Sequence, residues 1–197
     1  MFIVTNMYPN VRGKQPRDTD RNTRYGTHLP VLQACVTALG ATPENPIELV
    51  ELGMGLSSTP FFHAQANVSL ITSFEREQPW LRCADCAAGS TQPHKMLLAT
   101  DTDVVSMVRQ FRSQRAVALV DGFTAHRPIA LEAWMRAGVS FIVEHDAETF
   151  NSFDIKHRRA LAEAFGYSAW QYIELNPETA LFVKEPLSLP ISGCVRL

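Results

Sequence analysis

Carboxylates in this sequence stand at the ends of short apolar runs, and that placement is what gives them chemistry. Glu51 lies in Ile47-Glu48-Leu49-Val50-Glu51-Leu52, and Gly53-Met54-Gly55 follows at once. Glu75 follows the run 68–74, and Thr100-Asp101 follows Lys95 to Ala99. Asp121-Gly122 follows Val117-Ala118-Leu119-Val120, and Glu144-His145-Asp146 follows 139–143. A carboxylate fixed at a strand end accepts hydrogen bonds from hydroxyls such as those of a ribose. Two carboxylates at neighbouring strand ends, here Asp121 and Asp146, are oxygen donors of the type Mg²⁺ prefers, and the ion lowers the pKa of a bound hydroxyl. Histidine is the side chain suited to proton transfer around physiological pH, so His126 or His145 can instead act as a general base. In the plainer alternative Asp121 caps the next helix and His145 is a loop residue.

The glycines add a second kind of chemistry. Gly53 and Gly55 allow a tight turn and a close backbone approach to a ligand. Ser57-Ser58-Thr59-Pro60 opens a helix there, whose first amides point at the turn. A Gly-x-Gly between strand and helix serves dinucleotides and S-adenosylmethionine alike. A nicotinamide dinucleotide site wants a third glycine near position 58, where this chain has Ser58. The chain also has no Tyr with a Lys four residues later, the pair usual in nicotinamide-dependent oxidoreductases.

These loops need a scaffold, and the periodicity supplies one. Apolar residues at Leu29, Leu32, Cys35, Val36 and Leu39 have helical spacing, stopped by Gly40. Further helices are expected to about Ala66, from Asp101 or Asp103 to about Arg112, over 128–136 and over 152–165. Residues 76–94 read as irregular. Two last strand-like runs, Ala169 to Leu175 and Ala180 to Val183, flank Asn176-Pro177-Glu178 as a turn. Strands and helices alternate five times. This predicts an α/β fold: a doubly wound, mostly parallel seven-stranded sheet with a C-terminal antiparallel hairpin and helices on both faces. Residues 1–27 read as an N-terminal arm or lid, and 28–197 as one domain.

In this order of motifs the chain resembles the seven-stranded, Rossmann-like (class I) S-adenosylmethionine-dependent methyltransferases, over roughly residues 28–185. More narrowly, Asp121-Gly122 with His126 nearby, and His145-Asp146, resemble a small group with Asp-Gly-x-His after strand four and His-Asp after strand five. The resemblance implies cofactor contacts at Glu51, Gly53, Gly55, Ser57, Glu75, Asp101 and Asp121. Gly53 and Gly55 would line the methionine part, Glu75 would hold the ribose, and Asp101 would lie near the adenine. It implies catalytic roles for Asp121, His145 and His126, and a metal pair of Asp121 and Asp146. Ala147 stands where related catechol enzymes place an amide ligand, and the histidine lies four residues after Gly122 rather than two. The expected reaction is methyl transfer to a small acceptor, oxygen in the first place, with or without Mg²⁺. No Asn-Pro-Pro-Tyr-like tetrapeptide follows strand four, which argues against exocyclic amino groups as acceptors. The competing readings are an inactive cofactor-binding domain or subunit of an assembly, and an NAD-dependent oxidoreductase.

Other features carry less. Cys83-Ala84-Asp85-Cys86 is a lone Cys-x-x-Cys, for which zinc would need His94 or His63 as further ligands. Trp80 either stacks on adenine or joins the core, and Tyr25 and His28 precede the first helix and can reach the site. Arg109, Arg112 and Arg115 read as a solvated helix face. A net charge of -2 does not indicate a nucleic-acid partner. No apolar run approaches the roughly 20 residues of a membrane span. The expectation is a cytoplasmic protein whose partners are a small acceptor and, at most, a second copy of itself.

Overall fold

The structure, a computed structural model, describes residues 26–55, 57–81, 91–98, 101–147, 152–174, 178–189 and 191–197. Cys83, Cys86, Tyr25 and all of the expected arm except residues 26 and 27 lie outside them.

Helix α1 (Leu29–Leu39) begins with a proline in its first turn and ends at Gly40, whose φ of 54° is left-handed. Then follow β1 (Ile47–Leu52), α2 (Ser58–His63), β2 (Val68–Glu75), the single turn α3 (Gln78–Leu81) and β3 (His94–Leu98). Next come α4 (Asp101–Val108), β4 (Ala116–Val120), α5 (Arg127–Ala137), β5 (Phe141–Glu144) and α6 (Ser152–Ala164). The chain closes with β6 (Tyr167–Tyr172), β7 (Thr179–Lys184) and β8 (Cys194–Arg196).

The eight strands form one sheet in the order β3-β2-β1-β4-β5-β7-β6-β8. The pairs β1–β2, β1–β4, β2–β3 and β4–β5 are parallel. Strand β7 inserts antiparallel between β5 and β6, and β8 adds an antiparallel edge to β6. The sheet therefore has one strand more than the sequence predicts. Strand β8 is only three residues long and follows Gly193, so it shows no periodicity to read.

Each central strand is buried on both faces, which is why it reads as a continuous apolar run. In β1, Ile47 and Leu49 join a core beneath α1 and α2, and Val50 and Leu52 join the opposite core against α4 and α5. Strand β4 divides the same way, with Val117 and Leu119 on one face and Ala116, Ala118 and Val120 on the other. Trp134 and Phe141 are fully buried, as their spacing suggests.

Three expectations shift. The second helix stops at His63, not Ala66, because Asn67 turns with φ 57° to enter β2. Helix α4 stops at Val108, so Arg109, Arg112 and Arg115 do not share a helix face. Arg115 instead donates through Nη2 to the carbonyls of Leu39, Gly40 and Asn45, closing the end of α1. The region expected to be irregular contains α3, whose start is fixed by Glu75.

Candidate functional site

The order of strands reverses between β1 and β4, and there a parallel sheet opens a crevice at its carboxyl ends. The loop after β1 forms its floor. Gly53 has φ 88°, and a Cβ on it would lie 2.7 Å from Gly122 Cα and N. Only glycine fits, and the loops after β1 and β4 touch backbone to backbone. The floor is pinned on both sides. Gly53 N–H donates to the Phe74 carbonyl at 2.9 Å, and Asp121 N–H donates to the Leu52 carbonyl at 2.9 Å.

Glu75, at the end of β2, closes one wall. Its Oε2 accepts from Met54 N–H in the glycine loop, and its Oε1 accepts from Arg76 and Glu77 N–H at 2.7 Å each. The carboxylate thus ties the second strand end to the first. Arg76 then crosses to the loop after β4, its guanidinium 4.2 Å from the ring centre of half-exposed Phe123.

Glu51 lies under this floor. It points to the same face as Leu49, is fully buried, and accepts from Ser58, Thr59 and Ser73 hydroxyls at 2.9, 2.8 and 2.6 Å. Burial pushes its carboxyl up to about 7, against the pull of those three hydroxyls. Thr59 Oγ1 in turn accepts from Gly55 N–H at 3.2 Å, so Glu51 holds the glycine loop from beneath. Beyond Ser73 the chain of contacts continues to His94 Nε2 at 2.7 Å and from His94 Nδ1 to His63 Nε2 at 2.9 Å.

The opposite wall carries the basic and acidic groups. His145 Nδ1 is 3.0 Å from Asp121 Oδ1, and its Nε2 is 2.9 Å from Thr27 Oγ1. Burial alone would raise the Asp121 carboxyl. The hydrogen bond from His145 and the charges of His145, His28 and Arg127 outweigh it and leave Asp121 below the usual range. Burial would lower His145, but Asp121 and Asp146 together raise it. Arg127, at the first position of α5, clamps both loops. Its Nε donates to the Gly122 carbonyl at 2.8 Å, and its Nη1 to the His145 carbonyl at 2.6 Å. Its Nη2 lies 3.5 Å from Asp121 Oδ1 and 3.4 Å from Asp146 Oδ2.

No family profile and no curated protein matches the chain. Solved structures do. The O-methyltransferase from Bacillus cereus in complex with SAH superposes with a TM-score of 0.58 at 15% identity, over 81% of each chain. Human methyltransferase-like protein 13 in complex with SAH gives 0.56 at 18% identity, over 84% of this chain and 86% of that one. Spermidine synthase from Thermotoga maritima gives 0.54 at 13% identity, and the chain spans 62% of its length. The fold is the Rossmann-like methyltransferase fold.

Within this fold the expected site residues separate into two groups. Gly53, Gly55, Glu75 and Asp121 gather around the crevice at the ends of β1, β2 and β4. Ser57 precedes α2, and Asp101 opens α4, although the Asp101 side chain is not among those described. Glu51 supports the loop from below. Glu144, at the end of β5, is fully buried and held by Arg158 of α6 at 2.7 and 3.0 Å, so it belongs to the packing of α6. His126 precedes α5 and packs edge-on against Phe123. Trp80 is 40% exposed and therefore not a core residue. A cavity of about 420 Å³ lined by Arg159, Tyr167 and Arg196 shares no residue with this rim.

The expected Mg²⁺ pair does not fit that ion. Asp121 and Asp146 are bridged by the Arg127 guanidinium, with His145 Nδ1 within 3.0 and 3.6 Å of the two carboxylates. Mg²⁺ needs near-octahedral oxygen donors, and here the Arg127 guanidinium occupies the space between the two carboxylates that such an ion would need. Sequence reasoning missed Arg127. Its only signal was an arginine at a helix start, following a histidine and just ahead of Pro128.

Proposed function

We propose that this chain transfers the methyl group of S-adenosylmethionine to a hydroxyl of a small molecule. The observation that carries the reading is the convergence of Gly53, Glu75 and Asp121 on adjacent strand ends, around one crevice. In this reading Gly53 and Gly55 pass close to the methionine portion. Glu75 Oε2, which accepts one hydrogen bond from Met54, takes another from a ribose hydroxyl. Asp101 sits at the adenine end. The spermidine synthase neighbour shows that the fold alone also serves other chemistry, so the assignment rests on this site.

The acceptor side follows from Asp121 and His145. Asp121 is about a quarter exposed while His145 is buried behind it. The acceptor O–H donates to Asp121, which orients an oxygen lone pair toward the sulfonium methyl. As the new O–C bond forms, the S–C bond breaks and its electron pair stays on sulfur. The acceptor's proton is taken up by the Asp121–His145 pair, whose side chains lie 3.0 Å apart and in which the imidazole is the more basic partner. The main gain is alignment of the two reactants. Arg127 acts as a positioning residue by holding both loops in register.

Calorimetric titration with S-adenosylhomocysteine tests the assignment. Wild type is expected to bind it and to ignore NAD. Glu75→Gln, which loses a charged acceptor, is expected to weaken binding by on the order of 10–100-fold. Absence of binding to wild type sinks the proposal. Binding without turnover of any hydroxylated acceptor favours an inactive cofactor-binding domain.

A further inference from the structure

We infer that His28, Asp121 and His145 form a binding site for a borderline divalent cation of the Zn²⁺ class. His28 is 1% exposed, and neither of its ring nitrogens has a hydrogen-bond partner among the described residues. A buried imidazole with two unanswered polar atoms is costly unless something binds them. Its ring meets the His145 ring edge-on, with centroids 4.5 Å apart and planes at 71°.

One nitrogen from each histidine and one oxygen of Asp121 all lie within 4.8 Å of one another. Tetrahedral zinc with bonds of about 2.0–2.1 Å sets its donors about 3.4 Å apart. Asp121 Oδ1 and His145 Nδ1 are 3.0 Å apart, already near that spacing. The His28 nitrogen needs to close by no more than about 1.4 Å, within reach of a rotamer adjustment. The remaining histidine contact also suits a metal. With a cation on Nδ1, His145 Nε2–H donates to Thr27 Oγ1 at 2.9 Å, the outer-shell bond that fixes a ligating imidazole.

The donor set selects the ion. Two imidazoles and one carboxylate favour zinc-like ions over Mg²⁺. Three protein ligands leave a fourth position open, the arrangement of catalytic rather than structural sites. Any part this ion has in methyl transfer rests on the function proposed above, but the binding site itself does not.

The test uses the full chain with Cys83→Ser and Cys86→Ser, so that neither thiol competes for metal. Metal-stripped protein is titrated with Zn²⁺ against a chromophoric chelator. One equivalent is expected to bind, unaffected by millimolar Mg²⁺. His28→Gln and Asp121→Asn are each expected to weaken binding at least roughly 100-fold, and Asp146→Asn only slightly. A readout free of variants is the ¹⁵N spectrum of the histidine rings, where Zn²⁺ should shift His28 and His145 together. Substoichiometric binding, or no change at His28, overturns the site. Asp146→Asn as damaging as Asp121→Asn overturns it in favour of the aspartate pair. Binding of S-adenosylhomocysteine, measured without metal, reports separately on the cofactor assignment.

Discussion

Glu51 offers a measurable consequence of burying a carboxyl whose partners among the described residues are hydroxyls. Its folded pKa is about 7 against 4.5 unfolded. Below pH 4.5 both states hold the proton and the group is neutral to stability. As pH rises the unfolded state releases its proton first, so folding becomes less favourable until pH passes about 7. Integrating between pH 5 and pH 8 gives a loss of about 2.5 kcal/mol. Other groups run the opposite way. Burial lowers His28 and His94 to about 4, so they remove stability as pH falls from 6.5 toward 4. The wild-type profile is therefore a sum, and the informative quantity is a difference. Urea melts of wild type and Glu51→Gln are compared at pH 5, 6, 7 and 8. Relative to wild type, the variant should gain about 2.5 kcal/mol across that range, or roughly 5–10 °C in Tm. Gln keeps a carbonyl oxygen for two of the three hydroxyls, so any constant offset between the curves is separate from the slope. Parallel curves would refute the reasoning, because they would mean Glu51 titrates alike in both states.

Two further variants probe the frame of the site. Gly53→Ala adds a Cβ 2.7 Å from the Gly122 backbone at a φ of 88°, and should cost about 3 kcal/mol or more by chemical denaturation, together with loss of S-adenosylhomocysteine binding. Arg158→Met strips the bidentate partner from fully buried Glu144 and should cost about 3–5 kcal/mol, while adding Glu144→Gln should restore much of it.

The strands were legible because β1, β4 and β5 are buried on both faces, and such strands write themselves as unbroken apolar runs. Much of the rim was legible for the same reason, since Glu75 and Asp121 directly follow such runs. What each acid does at the rim was less so. Strand parity places Glu51 with Ile47 and Leu49, facing the core under α2, and pairs it in register with Ser73. That information was in the sequence, but only once the two strands are known to be neighbours. Arg127 was not legible in that way, and for His28 the sequence offered reach to the site but not its partner. Arg127 serves carbonyls of Gly122 and His145, and His28 meets His145, across gaps of 5 to 117 residues that no local pattern encodes. Strand β8 has too few residues for alternation, and Arg115 gave up its expected place on a helix when it capped α1.

The touching backbones of Gly53 and Gly122 set a mechanical limit. Two loops that meet without side chains between them have nothing to compress, so neither can yield inward while the other stays put. A bound molecule must be accommodated by its surroundings rather than by the base on which it rests. Variation in what the crevice accepts therefore falls to the flanking groups, such as Phe123 and Arg76, whose side chains stack on each other between the loops after β2 and β4.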